Sequence, residues 1–274
     1  MKNKFRLLER FFKYYLVESP LTKRKKFLTK MTPINQVESL LESLYPLDCQ
    51  PNLIRLGPEG DGGYLIPDDL EGINACFSPG VSTASGFEKE CATRNIKVFL
   101  ADKSVNAPAE NDDLFSFVPK FIGSMNNNDF ITLDHWIDLS IPDSNNELLL
   151  QMDIERSEYE VFHSLSERNM KKFRIMVIEF HGLDQIWNLP FFEILNRVFV
   201  KILQTHCCVH IHPNNITNIE KLNGIETAQA MEFTFFRKDR IINSSYQNSF
   251  PHPLDRDNDP NEASIILPSS WYSN

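Results

Sequence analysis

Apolar runs of strand length alternate along this chain with stretches of helical period. Thr32-Pro33 reads as a helix start, a capping hydroxyl followed by proline at the first helical position. Val37, Leu40, Leu41 and Leu44 form its apolar face, and Pro46 and Pro51 close it. Asp61-Gly62-Gly63 signals a tight hairpin turn. That turn either only reverses the chain or brings backbone close to a ligand, with Tyr64 beside it. From Asn74 the alternation becomes regular. Strands are expected at 75–77, 96–100, 115–122, 148–154, 173–180, 207–212 and 231–236. Helices are expected at 83–94, from Asp134, from Ser157 to about Met170, and at 190–206. Strands apolar on both faces, separated by helices, argue an α/β fold with a mostly parallel sheet and helices on both faces. Residues 1–31 form an N-terminal extension and 32–274 the main domain. Within the domain, 32–72 hold a helix and hairpin, 73–240 the core, and 241–274 a Pro-rich arm expected on the surface.

The extension changes the picture of charge. The 274 residues carry a net charge of -9. Ten Lys and Arg against two acids in residues 1–30 leave +8 there and -17 for the rest. The acidic body argues against a nucleic-acid partner. Phe5, Leu8, Phe12, Tyr15 and Leu16 fall at helical spacing, and Lys23-Arg24-Lys25-Lys26 follows Pro20. Such a basic amphipathic helix suits peripheral contact with an anionic membrane surface. The alternative is docking on the domain itself or on a second subunit, in a homo-oligomer. Five Cys, with no CxxC pair, point to reduced thiols and a cytoplasmic location. No apolar run is long enough to span a membrane, and no signal peptide is read at the N-terminus.

Chemistry-bearing residues gather at the strand ends. Ser78 and Gly80 end the first core strand, Asp102 the next, then Asp153 and Glu155, Glu179 and His181, and His210 and His212. Ligands of open α/β sheets bind at that edge. Gly80 lets the backbone approach a ligand, ahead of a helix N-terminus expected near Thr83. An acid placed like Asp102 can accept hydrogen bonds from ribose hydroxyls, which supports a nucleoside-containing ligand. Asp153, Glu179 and His181 could bind a divalent cation, Mg²⁺ or Mn²⁺ by their oxygen-rich set, or act in proton transfer. His210 and His212 share one strand face. They could complete a metal site or hydrogen-bond a polyhydroxylated substrate.

Asp153-Ile154-Glu155-x-x-Glu158 after an apolar strand resembles the D-I-E-G-x-E motif of FkbM-like S-adenosylmethionine-dependent methyltransferases. Leu133-Asp134-x-Trp136-Ile137, Ile178-Glu179-Phe180-His181, Asp61-Gly62-Gly63-Tyr64 and Pro251-His252-Pro253-Leu254-Asp255 are similar in order over residues 52–272. The resemblance implies a seven-stranded Rossmann-like methyltransferase sheet with one antiparallel strand. It also implies O-methylation of a sugar hydroxyl of a surface glycan or glycan precursor, and the basic N-terminus would place such an enzyme near the inner face of a membrane. By that resemblance, Asp61, Gly63, Ser78, Gly80, Ser82, Asp102 and Asp153 serve the cofactor. Asp153, Glu179 and His181 serve catalysis or a cation. Glu155, Arg156, His210 and His212 are the candidate substrate contacts. Arg156-Ser157 replaces the family's Gly-small pair, so the turn lacks glycine's freedom. Other classes remain beside this one: a dinucleotide-dependent dehydrogenase, against which the missing GxGxxG counts, and a non-catalytic interaction protein of the same fold.

Overall fold

The computed structural model describes Lys13 and residues 28–81, 85–142, 146–242 and 245–273. The expected amphipathic helix in the extension, Ser82 and the helix start at Thr83 lie outside the described residues. The first described helix, α1 (Ile34–Ser43), buries Val37, Leu40 and Leu41. Its cap departs from expectation. Thr32 Oγ1 donates to the Ile186 carbonyl at 2.8 Å, and no side chain caps the helix. A buried long-range carbonyl anchors the hydroxyl, whose oxygen accepts from no helix N–H.

Two short strands follow, β1 (Leu47–Asp48) and β2 (Leu53–Leu56), then β3 (Tyr64–Pro67). β2 and β3 pair antiparallel with Leu56 opposite Tyr64. The connection is therefore a seven-residue loop, not a two-residue turn. Next come β4 (Ile73–Pro79), α2 (Gly86–Thr93), β5 (Lys97–Ala101) and β6 (Phe115–Val118). The single strand expected over 115–122 is broken at Pro119-Lys120. β7 (Phe121–Gly123) leaves the main sheet and pairs in parallel with β8 (Phe130–Thr132). Thr132 caps α3 (Leu133–Ser140), accepting from the His135 N–H. β9 (Glu147–Met152), α4 (Glu158–Ser164), α5 (Glu167–Met170) and β10 (Phe173–His181) follow. After a 3-10 turn at Leu183–Trp187 come α6 (Leu189–Thr205), β11 (His206–Pro213), and a hairpin of β12 (Ile219–Leu222) and β13 (Ile225–Ala228). β14 (Ala230–Arg237) and β15 (Ser245–Tyr246) complete the strands.

The central sheet has seven strands in the order β11-β14-β10-β9-β4-β5-β6. All are parallel except β14, which runs antiparallel to both neighbours. The chain goes from β4 to β5 on one side, then crosses to β9 on the other. The topological switch therefore falls between β4 and β9, where open α/β sheets form a crevice.

Side-chain alternation sorts the core. Leu148, Leu150 and Met152 of β9, with Met176, Ile178 and Phe180 of β10, pack under α1, α3, α4 and α6. Leu149, Ile175 and Val177 face the other way, against α2 and the β2–β3 hairpin. The second face is thus covered by one described helix and a hairpin, whose Leu65 carbonyl accepts from Thr234 at 2.6 Å. The arm also differs from expectation. Leu267 and Trp271 are buried in the core, Trp271 at 1% exposure, with its indole N–H donating to the Glu226 carbonyl. These two side chains leave water, so the end of the arm is part of the fold.

Candidate functional site

The site follows from counting by two along adjacent strands. On the face of Cys76, Leu149, Val177 and Phe236 lie, further along each strand, Ser78, Gln151, Glu179 and Glu232. Glu179 stands directly opposite Glu232, and Glu232 opposite His212. A buried polar row therefore crosses the sheet near its ligand-binding edge. Gln151 and Glu232 were visible in the sequence as polar residues inside apolar strands, but drew no notice there.

At the switch point Gly80 has φ +91°, and a Cβ there would lie 1.7 Å from the Asp153 carbonyl oxygen. Only glycine lets the two strand ends approach this closely. Beside them opens a cavity of about 600 Å³, lined by Gly80, Asp102, Phe121, Phe130, Asp153 and Ile154 among others. Asp102 is only 9% exposed, and its Oδ1 accepts from the Ser104 N–H at 2.6 Å. The cavity has an apolar wall at one place and a carboxylate at another, as a nucleoside requires.

Two expected cofactor residues lie elsewhere. Ser78 is fully buried behind the wall, its Oγ 2.5 Å from Glu88 and 2.7 Å from Gln151. It ties α2 to the sheet. Gly63 is also buried, because a Cβ would collide with the Pro58 carbonyl at 2.1 Å and with the Arg55 guanidinium. Arg55 donates to the Pro58 and Gly60 carbonyls and holds the loop closed. Asp61 of that loop does reach the cavity. Asn258, from the arm, holds it, donating to Asp61 at 3.2 Å and to Glu232 at 2.9 Å.

Asp153 is shared with a further cavity of about 310 Å³, lined also by Asp61, Arg156, Glu179, His181 and Asn214. Between the two cavities sits an acidic centre around one imidazole. The Glu158 carboxylate, at 0% exposure, accepts from the Ile154 and Arg156 N–H groups, each at 3.2 Å. It therefore clasps the turn preceding α4 and does not only face the helix start. The same oxygen lies 3.2 Å from His181 Nδ1, which leaves His181 Nε2 turned to the other acids. That nitrogen is 3.8 Å from Asp153, 3.7 Å from Glu155 and 3.7 Å from Glu179.

Burial opposes a charge on His181, but the Glu158 hydrogen bond and the fields of Glu179, Glu158 and Asp153 prevail and carry its pKa up to about 9. Burial pushes Asp153 up to about 7, against the pull of His181 and with the push of Glu155 and Glu158. Burial, Asp153 and Glu232 together hold Glu179 well above the ordinary carboxylate range. Asp153, Glu179 and His181 each offer one ligand atom, all within 4.8 Å of one another. Asp153 Oδ1 is buried without a hydrogen-bond partner. This donor set fits a divalent cation, with the Glu158–Nδ1 contact as the outer support such histidine ligands use.

The turn itself is strained. Glu155 has φ +54° and Arg156 φ +84°, a left-handed conformation costly for side chains other than glycine. Arg156 stands where the resembling motif has glycine, and its side chain borders the smaller cavity.

His210 and His212 do not reach either cavity. Asp255 of the arm lies 2.9 Å from His210 Nε2 and 3.7 Å from His212 Nδ1. Burial works against that carboxylate's charge, yet the two imidazoles hold it well below the usual range. They anchor the arm and line neither cavity around Asp153. Asn214, just beyond them, does line the smaller cavity and donates to Glu179 at 2.8 Å. No family model matches the chain, and no curated protein matches it.

Proposed function

We propose that this chain is an S-adenosylmethionine-dependent O-methyltransferase acting on a sugar hydroxyl of a glycan or glycan precursor. The observation that carries the reading is the pair of cavities meeting at Asp153. One offers Gly80, aromatic side chains and Asp102 to a nucleoside; the other offers Arg156, Asn214, Thr217 and Gln229 to a hydroxylated acceptor. The seven-stranded sheet with a single reversed strand agrees with the fold that the resemblance implies.

When bound, S-adenosylmethionine supplies a methyl group on a sulfonium leaving group. The chain's part is to align a hydroxyl and receive its proton. Asp153, at the junction, stands where that proton must go. His181, oriented by Glu158, places positive charge beside the oxygen as its negative charge develops. In place of that charge, a divalent cation held by Asp153, Glu179 and a neutral His181 would supply Lewis-acid stabilisation of the same oxygen. Asn214 and Glu179 fix each other, so the polar wall is preorganised.

Titration calorimetry with S-adenosylmethionine tests the reading. The expected result is saturable binding, weakened by Asp102→Ala; a folded protein that releases no heat would overturn it.

No helix among the described residues is long and apolar enough to cross a membrane. The basic residues 1–30 support a place at the inner face of a membrane. Equal co-sedimentation with anionic liposomes by the full chain and by one lacking residues 1–30 would remove that idea.

A further inference from the structure

A cavity of about 420 Å³ lies apart from the acidic centre and shares no lining residue with the cavities around Asp153. Its volume falls within the roughly 300–1,000 Å³ usual for small-molecule sites. Asp48 and Asn52 form one wall, from β1 and the segment after it. Tyr246, Asn248 and Ser249 form the other, and His252 and Pro253 of the arm close it.

Apart from Gln247, whose amide donates to the Val209 carbonyl at 3.1 Å, most polar side chains here are uncommitted. Asp48, Asn52, Tyr246, Asn248 and Ser249 have no side-chain hydrogen bond among the described residues. His252 Nδ1 accepts from the Leu254 N–H at 3.2 Å, so its ring proton is on Nε2 and free to donate. Burial and the nearby His210 lower the pKa of His252 and favour this neutral form. Tyr246 packs edge-on against Tyr45, with centroids 6.0 Å apart at 88°, and stays 53% exposed.

This combination selects a chemistry. The cavity is lined by no Lys or Arg and carries Asp48, so it repels phosphates and carboxylates. Its few apolar groups, Leu53, Pro253 and the Tyr246 ring, leave little for a hydrophobic ligand. The Asn52 and Asn248 amides each present an acceptor and two donors side by side, which matches a hydroxyl that both gives and takes a hydrogen bond. The fixed aromatic ring suits the C–H face of a sugar. We propose that this cavity is a saccharide-binding site for a neutral sugar unit, distinct from the acidic centre. The proposal stands independently of methyl transfer.

A printed array of neutral and uronate-bearing oligosaccharides, probed with the full chain, tests it. The expected result is retention on neutral glycans, weakened about ten-fold by the double substitution Asn52→Ala/Asn248→Ala, the scale of two lost hydrogen bonds. Both residues are exposed, and an unchanged melting temperature checks that the variant folds. Tyr246→Ala should weaken binding by a separate route. Either outcome, no neutral glycan retained by the wild type or full retention by both the double variant and Tyr246→Ala, would overturn the proposal.

Discussion

Arg156→Gly should stabilise the protein while impairing its use of acceptor. Arg156 holds φ +84° without glycine's freedom. A left-handed conformation costs an L-residue about 1–2 kcal/mol. Glycine avoids that cost but loses more chain entropy on folding, about 0.5–1 kcal/mol. The Arg156 side chain is exposed and has no hydrogen bond or ion pair to lose among the described residues. The balance is a gain of ~0.5–1 kcal/mol, a rise of roughly 1–4 °C in melting temperature for a chain of this size. Differential scanning calorimetry reads it directly. Strain kept at such a position is a mark of function, so the variant should also lose acceptor affinity, seen as a raised KM. A lower melting temperature, or a raised one with unchanged acceptor kinetics, would refute the argument that Arg156 is kept there for the acceptor.

Three further outcomes are expected. Gly80→Ala places a Cβ 1.7 Å from the Asp153 carbonyl; it should displace the junction and lower stability by about 1–3 kcal/mol through strain and overlap, with cofactor affinity lost in calorimetry. His206 is buried neutral, with Nε2 on the Phe173 carbonyl and Nδ1 on Thr205, each at 2.8 Å, and burial lowers its pKa from 6.5 to about 4. A folded pKa below the unfolded one gives stability that is present above about pH 6.5 and lost as pH falls toward 4, by up to ~3 kcal/mol; urea unfolding at pH 7 and 4.5 should show the loss, and His206→Asn should lessen it. Trp271→Ala should cost about 3–5 kcal/mol, as for other buried large side chains, whereas a change under about 1 kcal/mol in urea unfolding would return the arm to the surface.

Much of this architecture was legible in the chain because each sheet strand is an apolar run that both faces of the sheet bury. Asp153, Glu179 and His181 were legible as a group for the same reason: each ends such a run, and parity brings them to one side. What escaped reading depends on partners distant in sequence. Thr32 caps nothing, and its hydroxyl is instead anchored to the Ile186 carbonyl, 154 residues away. The His210-Ile211-His212 pattern suggested a metal site or a substrate contact, and Asp255, 45 residues on from His210, is the partner it meets. Ser78 was credited with a ligand that its neighbours Glu88 and Gln151 displace. The acidic centre's electrostatics also exceed what spacing conveys, since the charge on His181 follows from how deeply four carboxylates surround it.

The most direct measurement is a crystal structure grown with S-adenosylhomocysteine. The account predicts density for the adenosine in the cavity bounded by Gly80, Phe130 and Asp102, its ribose hydroxyls on the Asp102 carboxylate and its sulfur turned toward Asp153. Well-ordered protein with that cavity empty at saturating ligand, or with the ligand bound elsewhere, would contradict it.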